Sequence, residues 1–355
     1  MITKDFKAEY KPDERYCNHK KLLSHNANIS WSQSIRNLGK SYDAMRLVRK
    51  TVEKGRNCVW NRWDRNETEI AKAEFMRYNV DDKYTDYNIK NSPASYIQDN
   101  DSGCSIYFMP VKQASSLKGL DIPKIKWMVY DECIPEFYDI KTRRDIEFDK
   151  FMSLYKTLKR DTQDFRGLLM CNVIDWFNGY TRAWEISPFD AGIIRTFIKD
   201  VIVDIDGEIY KSSQKIAFEN VKPSKAMIQR NLEDEILKGN TDFVKAYYVN
   251  KASKEYNMIA QCPNLNIPLE PMQWRRGNIY ISYRVHGGYC YFVETKPRDI
   301  ATDVFSPGDI GHREMRRPSI GTWLEELINS GKACFSNGHV YNTVIGGIWD
   351  YRKRI

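Results

Sequence analysis

No pair of cysteines in this chain stands at Cys-x-x-Cys spacing, although eight are present: Cys17, Cys58, Cys104, Cys133, Cys171, Cys262, Cys290 and Cys334. That absence argues against a zinc ribbon or a disulfide-framed fold. Cys58, Cys133, Cys171 and Cys290 lie inside apolar runs, the setting of buried reduced thiols. Cys17 and His19 come nearest to a metal pair. Two residues in a polar tail is the plainer reading, because a zinc site needs four ligands at fitting spacing. Also missing is any run of about 18 apolar residues, so no membrane-spanning helix is expected. The N-terminus, MITKDFKAEYKPDER, is charged from its start and does not read as a secretory signal. There is no internal repeat and no low-complexity segment.

What is present suits a globular chain. Of 355 residues, 42% are hydrophobic and 29% charged, enough apolar material at this length for two cores. The formal charge of +8 tolerates a polyanionic partner without demanding one. Residues 1–25 are polar and read as irregular. From Asn28 strand and helix patterns alternate. NISWSQ, NCVWNRW, CSIYFMP, IKWMVYDE and GLLMCNV read as strands. DAMRLVRKTVEKG reads as a helix, with Met45, Val48 and Val52 at helical spacing and Gly55 as its stop. EIAKAEFMRY and DIEFDKFMSLYKTLKR are helical too. This alternation predicts an α/β fold with a mostly parallel sheet covered on both faces. It fades near Asp206, where VKPSKAMIQRNLEDEILKGN reads as a linker or small helical module. GNIYISYRVHGGYCYFVET reads as a hairpin turning at His286-Gly287-Gly288, followed by a helix (TWLEELINSG) and a basic tail (YRKRI).

The chemistry concentrates at Gly39-Lys40-Ser41, between a strand and a helix. Phosphate binding needs backbone N–H groups converging at a helix N-terminus, a lysine for the β- and γ-phosphates, and a hydroxyl for Mg²⁺. Lys40 and Ser41 fit the last two roles. The strict Gly-x-x-x-x-Gly-Lys-Ser/Thr pattern fails, since Ser34 stands at its first glycine. The apolar run Trp127–Tyr130 delivers Asp131 and Glu132 at a strand's C-terminal end, where ligands bind in open α/β sheets. There Asp131 can hold the Mg²⁺ shell while Glu132 accepts a proton from attacking water. Asn172, also at a strand end, can bond that water or the γ-phosphate, though a lone Asn there is commonly a turn former. Arg160 ends the preceding helix; it can stabilise phosphoryl-transfer charge from a neighbouring subunit, or simply favour the helix dipole.

In order and spacing these motifs resemble one family, the phi29-like DNA-packaging ATPases of small tailed bacteriophages, compact relatives of the large terminases. The similarity rests on SIRNLGKSYDAM, CVWNRW, WMVYDECIPE and LKRDTQDFRGLLMCNV, and more loosely on the C-terminal FSNGHVYNTVIGGIWDYRKRI. It implies a P-loop ATPase domain of the additional-strand, catalytic-glutamate type over residues 1–207 and a helical linker over 208–262. It implies further a C-terminal α+β, RNase H-like domain over 263–355 that lacks nuclease ligands and contacts DNA. ATP and Mg²⁺ would be the cofactors. The implied partners are double-stranded DNA, the viral portal or connector and a packaging RNA, with no membrane. The implied assembly is a homo-oligomeric ring, usually of five, at the prohead portal vertex in the host bacterial cytoplasm. By position, Lys40 and Ser41 match the family's phosphate-loop lysine and hydroxyl, and Arg36 matches an arginine within that loop. Asp131 and Glu132 match the Walker B pair, and Arg160 matches the arginine finger acting in trans. Arg62 and Arg65 fall where the family has basic residues. Ser34 and Asn37 replace glycines common in the family's loop.

Two-metal DNA cleavage needs carboxylates projecting from a central strand. Asn278–Val285, read as the first strand of the C-terminal domain, has none, and Glu294, Asp299 and Asp303 do not replace them. Arg275, Arg276, Arg284, Arg313, Arg316, Arg317 and the Arg352-Lys353-Arg354 tail can contact phosphates without reading sequence. Three alternatives stand beside the translocating ATPase. They are a packaging terminase that also cuts DNA, a small-molecule P-loop kinase, and a non-enzymatic nucleic-acid-binding protein. The kinase would need a lid and an acceptor pocket, and nothing in the sequence marks either. The binding protein leaves the Asp131-Glu132 pair unexplained.

Overall fold

The computed structural model describes most of residues 2–236 and, beyond them, mainly strand segments between residues 273 and 344. Two compact units are present: Met1–Ile174 with Asp190–Lys251, and Asp175–Phe189 with Ala252–Ile355. In chain order the first contains β1 (Ile2–Lys7), α1 (Lys20–Ser24), β2 (Ile29–Ser34), α2 (Lys40–Val52) and β3 (Asn57–Arg62). Next come α3 (Arg65–Tyr78), β4 (Tyr84–Asn88), β5 (Ser95–Asp99), β6 (Ser105–Pro110) and β7 (Ile125–Asp131). Then follow α4 (Glu147–Lys159) and β8 (Arg166–Asn172), and, after α5 (Gly179–Ala183) of the second unit, β9 (Ile193–Ile205), β10 (Glu208–Asn220) and α6 (Lys225–Ile236).

Ten strands make one sheet in the order β1-β9-β10-β2-β8-β7-β3-β6-β5-β4. The six from β10 to β6 run parallel, and antiparallel strands flank them on both sides. Every residue of β2 is buried, as suits a central strand covered on both faces. On one face Trp31 stacks on Phe218 of β10, ring centroids 4.3 Å apart. On the other, Ala44, Met45, Val48 and Val52 of α2 pack with Leu168, Met170 and Ala217. These α2 residues share one helical stripe, which is why the segment folds as an amphipathic helix. It stops at Gly55, whose φ of 78° is a left-handed conformation that favours glycine.

Two sequence expectations change here. Residues 1–25 are not irregular: β1 pairs with β9, α1 follows, and Cys17 and His19 are buried. Their partners lie some 190 residues downstream, beyond any local pattern, as in the Arg195–Asp5 ion pair. The sheet also continues past residue 207, because β10 pairs with β2 over Ile216–Asn220. The first half of β10 is exposed and polar, so it reads as linker, while its last five residues are buried. Of the expected helical linker, α6 is the described helix, and residues 237–262 lie outside the described residues.

The second unit holds a sheet ordered β14-β11-β12-β13-β15, from β11 (Gln273–Arg276), β12 (Ile279–His286), β13 (Tyr289–Thr295), β14 (Val304–Phe305) and β15 (Ala333–Phe335). β12 and β13 form the expected hairpin, with Gly287 at φ 58°. Phe292, Phe335 and Tyr341 cluster in its core, successive ring centroids 5.1 and 5.2 Å apart. The strand taken from sequence as first in this domain is thus preceded by β11, its antiparallel neighbour. β11 has no Asp or Glu either. The expected closing helix falls largely, and the basic tail wholly, outside the described residues.

Candidate nucleotide site

The four adjacent strands β2, β8, β7 and β3 end on Ser34, Asn172, Asp131 and Arg62. The turn after β2 reaches α2 through two left-handed residues, Asn37 (φ 59°) and Gly39 (φ 86°). Gly39 is required twice over, by its φ and because a Cβ there would lie 2.8 Å from Tyr16 Cδ1. As N-cap of α2 it has no side-chain capping bond, so the first-turn amides and the helix dipole are available to an anion.

Lys40, buried, lies at the end of this turn. Its Nζ donates to Ser34 Oγ (2.7 Å), Ile35 O (3.0 Å) and Asn172 Oδ1 (3.2 Å). All three acceptors are neutral. Burial lowers the ammonium's pKa, against the favourable fields of Cys17, Cys171, Asp131 and Glu132. A bound phosphate would supply the missing countercharge. Ser41 Oγ donates to Asp131 Oδ1 at 3.0 Å. A hydroxyl beside a carboxylate is an oxygen donor set that fits Mg²⁺.

Arg62 reaches the same carboxylates from β3. Its Nη2 lies 2.6 Å from Asp131 Oδ2 and its Nη1 2.6 Å from Glu132 Oε2. Burial opposes the guanidinium's charge, yet Asp131 and Glu132 outweigh it and raise the pKa. Glu132 itself has φ 57°, a strained conformation for a non-glycine residue. The sequence reading gave Arg62 no role. Its only signal was a cation at the end of a strand, which means little until the strand order is known.

A cavity of about 490 Å³ adjoins the turn, lined by Tyr16, Cys17, Asn18, Tyr42, Asp43 and Arg46 among others. Cys17 and His19 form no metal pair here. His19 Nδ1 faces Asp43 Oδ2 at 3.0 Å, and Cys17 packs with Ile35, Leu38, Val221 and Met227, where burial pushes its thiol up to about 12. Among the described residues no group of three or more His, Cys, Asp or Glu is placed to hold a metal.

Arg160 is not brought to this cluster. It is the exposed C-cap of α4, on the side where β8 begins, while Asn172 is where β8 ends. A seven-residue strand separates those ends by roughly 20 Å. Arg275 and Arg276 lie on β11 and Arg284, half-buried, on β12. Arg36, Arg313, Arg316, Arg317 and Arg352–Arg354 fall outside the described residues.

A lysine and a serine at a strand–turn–helix junction, with paired carboxylates on the parallel strand beyond β8, are the layout of an α/β ATPase. A family model described as podovirus DNA encapsidation protein (Gp16) matches residues 13–269. The chain belongs to that family, the DNA-packaging ATPases of tailed phages. Among solved structures, the phi-29 viral genome packaging motor assembly superposes with TM-score 0.58 at 15% identity, covering 95% of this chain and 99% of that one. The phi-28 gp11 DNA packaging motor superposes with TM-score 0.56 at 15% identity, covering 95% and 98%. At this identity the likeness is one of fold. No curated protein sequence matches.

Proposed function

We propose that this ATPase is the motor subunit that drives double-stranded viral DNA into a prohead, working in a homo-oligomeric ring, by family likeness of five. The observation that carries the site assignment is the 3.0 Å contact between Ser41 and Asp131, which joins the phosphate turn to the carboxylate strand. One strand, β8, lies between β2 and β7, which supports the additional-strand class. In this reading the turn from Ser34 through Asn37 to Gly39, with Arg36 and Lys40, holds the phosphates of ATP. Ser41 and Asp131 hold Mg²⁺, which neutralises phosphate charge when bound. Glu132 accepts the proton of the attacking water. Because Arg62 engages Glu132 Oε2 at 2.6 Å, that contact must open first. Asn172, already bonded to Lys40, responds to the γ-phosphate. The cavity beside Tyr16 and Tyr42 suits the nucleotide base.

Arg160 acts on the site of a neighbouring subunit; its position at the far end of β8 favours action in trans over action in its own site. The C-terminal unit is a nuclease-like domain without nuclease chemistry, supported by the absence of carboxylates from β11 and β12. It contacts DNA phosphates through Arg275, Arg276, Arg284, Arg316 and Arg317. The portal and a packaging RNA are the remaining partners, at the portal vertex in the host bacterial cytoplasm. The decisive experiment measures ATP hydrolysis with and without duplex DNA, together with nuclease protection of DNA inside proheads. Stimulated hydrolysis with protected DNA is the expected result. Hydrolysis indifferent to DNA, or plasmid linearised with Mg²⁺ or Mn²⁺, would overturn the assignment.

A further inference from the structure

The phosphate turn is non-standard in this chain, since an asparagine and not a glycine occupies its first left-handed position. Asn37 has φ 59°, which L-residues adopt reluctantly and asparagine less reluctantly than most. Something outside the turn has to hold it, and α6 is in contact with it. Val221 and Met227 bury together with Ile35, Leu38 and Cys17, so the start of α6 packs against the turn itself. Ser224 fixes the helix start, its hydroxyl accepting from Met227 N at 3.1 Å and donating to Glu14 O. The amide of Ala226 donates to Pro12 O at 3.0 Å.

One helical turn beyond Met227, on the same face, is Arg230. Its Nη1 donates to Arg15 O at 2.9 Å, and its Nη2 donates to Asn37 O. Its guanidinium carbon lies 4.2 Å from the centroid of the Tyr16 ring. Tyr16 in turn fills the space against Gly39 that any side chain there would need. The two left-handed residues of the turn are therefore both restrained from the Arg230 side, one directly and one through Tyr16. A trans peptide is planar, with C=O and N–H on opposite sides. Arg230 on the Asn37 carbonyl thus keeps the Leu38 N–H pointing away from the arginine and prevents the peptide from flipping.

We propose that Arg230 is a positioning residue that, through Asn37 and Tyr16, holds the phosphate turn in its nucleotide-accepting shape. It does the work that a glycine at residue 37 would make unnecessary. This inference rests on the reading of the turn as the nucleotide site. It also ties that site to α6, the last described helix before the chain leaves the first unit.

The test compares Arg230→Gln, Arg230→Lys and Arg230→Gln with Asn37→Gly in the full chain, measuring the Kd of a fluorescent ATP analogue, KM, kcat and Tm. Arg230→Gln should raise Kd and KM about tenfold, the scale of a lost charge-assisted bond, with kcat changed less than twofold. Arg230→Lys should fall between, because lysine keeps the charge but not the planar fork. Adding Asn37→Gly should recover part of the lost affinity, since glycine takes positive φ unaided. An unchanged Kd in Arg230→Gln would overturn the proposal. So would a fall in kcat at constant KM, or a loss that tracks Tm and is indifferent to Asn37→Gly. Should the Gln variant fail to fold, Arg230→Lys decides by the same Kd comparison. Wild-type protein that binds no analogue would instead remove the nucleotide-site reading itself.

Discussion

In the large sheet, β2, β3, β7 and β8 end on Ser34, Arg62, Asp131 and Asn172, and these ends meet within hydrogen-bonding distance of Lys40 or Ser41 or of each other. In the smaller sheet, β11 and β12 carry Arg275, Arg276 and Arg284 and not a single Asp or Glu. The difference shows what strand order contributes to chemistry. Parallel neighbours in the first unit all end on the same side, so groups from four distant segments converge there. In the second unit β11, β12 and β13 are antiparallel, so successive strand ends alternate sides and no comparable cluster is built from them. In the proposed function the first sheet acts on the phosphates of ATP, and the second at most holds those of DNA.

The largest effect that would separate the two concerns Glu132. Replacing it with Gln keeps its shape and its contact with Arg62 while removing the proton acceptor. Single-turnover ATP hydrolysis should fall by about 10²–10⁴ with nucleotide Kd nearly unchanged. Hydrolysis near the wild-type rate would mean that the catalytic acid–base group lies elsewhere. No single substitution on β11 or β12 should approach that loss.

Arg160→Ala comes next, since its position at the opposite end of β8 from the site makes it useless to its own subunit. Arg160→Ala and Glu132→Gln should each be inactive alone, yet an equal mixture should recover roughly a quarter of the wild-type rate, because an Arg160→Ala subunit's own site regains an arginine from a Glu132→Gln neighbour. A mixture as inactive as either variant alone would show that Arg160 does not act on a neighbour's site.

The smaller sheet is tested by Arg275→Ala with Arg276→Ala. Duplex affinity should drop only severalfold at physiological salt. The slope of log affinity against log salt should shrink by about 2, one unit per phosphate contact. An unaltered slope would leave this sheet without a DNA role.

How much of this was legible in the sequence follows from separation along the chain. Lys40 and Ser41 announce themselves at a strand–helix junction, and Asp131-Glu132 at the end of an apolar run, because each signal is local. The central parallel strands were legible for the same reason, as short apolar runs between amphipathic helices. β1, β9 and β10 were not. Their pairings join residues such as Lys4 and Thr196, and the exposed half of β10 carries linker-like composition. Arg62 was legible only as a basic residue at a strand end without a role, and Tyr16 and Arg230 were invisible as members of the site, since nothing near them in sequence distinguishes them from surface residues.

The smallest expected effect on activity concerns a third acid of the large sheet, one that is not paired with Arg62. Glu219 on β10 is buried, and Tyr10 Oη donates to its Oε1 at 3.3 Å. Burial pushes its pKa up to about 8, with Tyr10 and Lys21 opposing weakly. Asp131 and Glu132, by contrast, share Arg62. A carboxyl whose folded pKa exceeds its unfolded value stabilises the fold in its neutral form. That contribution is complete below about pH 4.5, declines as pH rises, and is gone once pH passes about 8. Glu219→Gln keeps a neutral group of the same shape at every pH. The variant should therefore match wild type in Tm near pH 5 and exceed it by roughly 10 °C at pH 9. A variant less stable than wild type at pH 9 would mean that ionised Glu219 is accommodated in the fold.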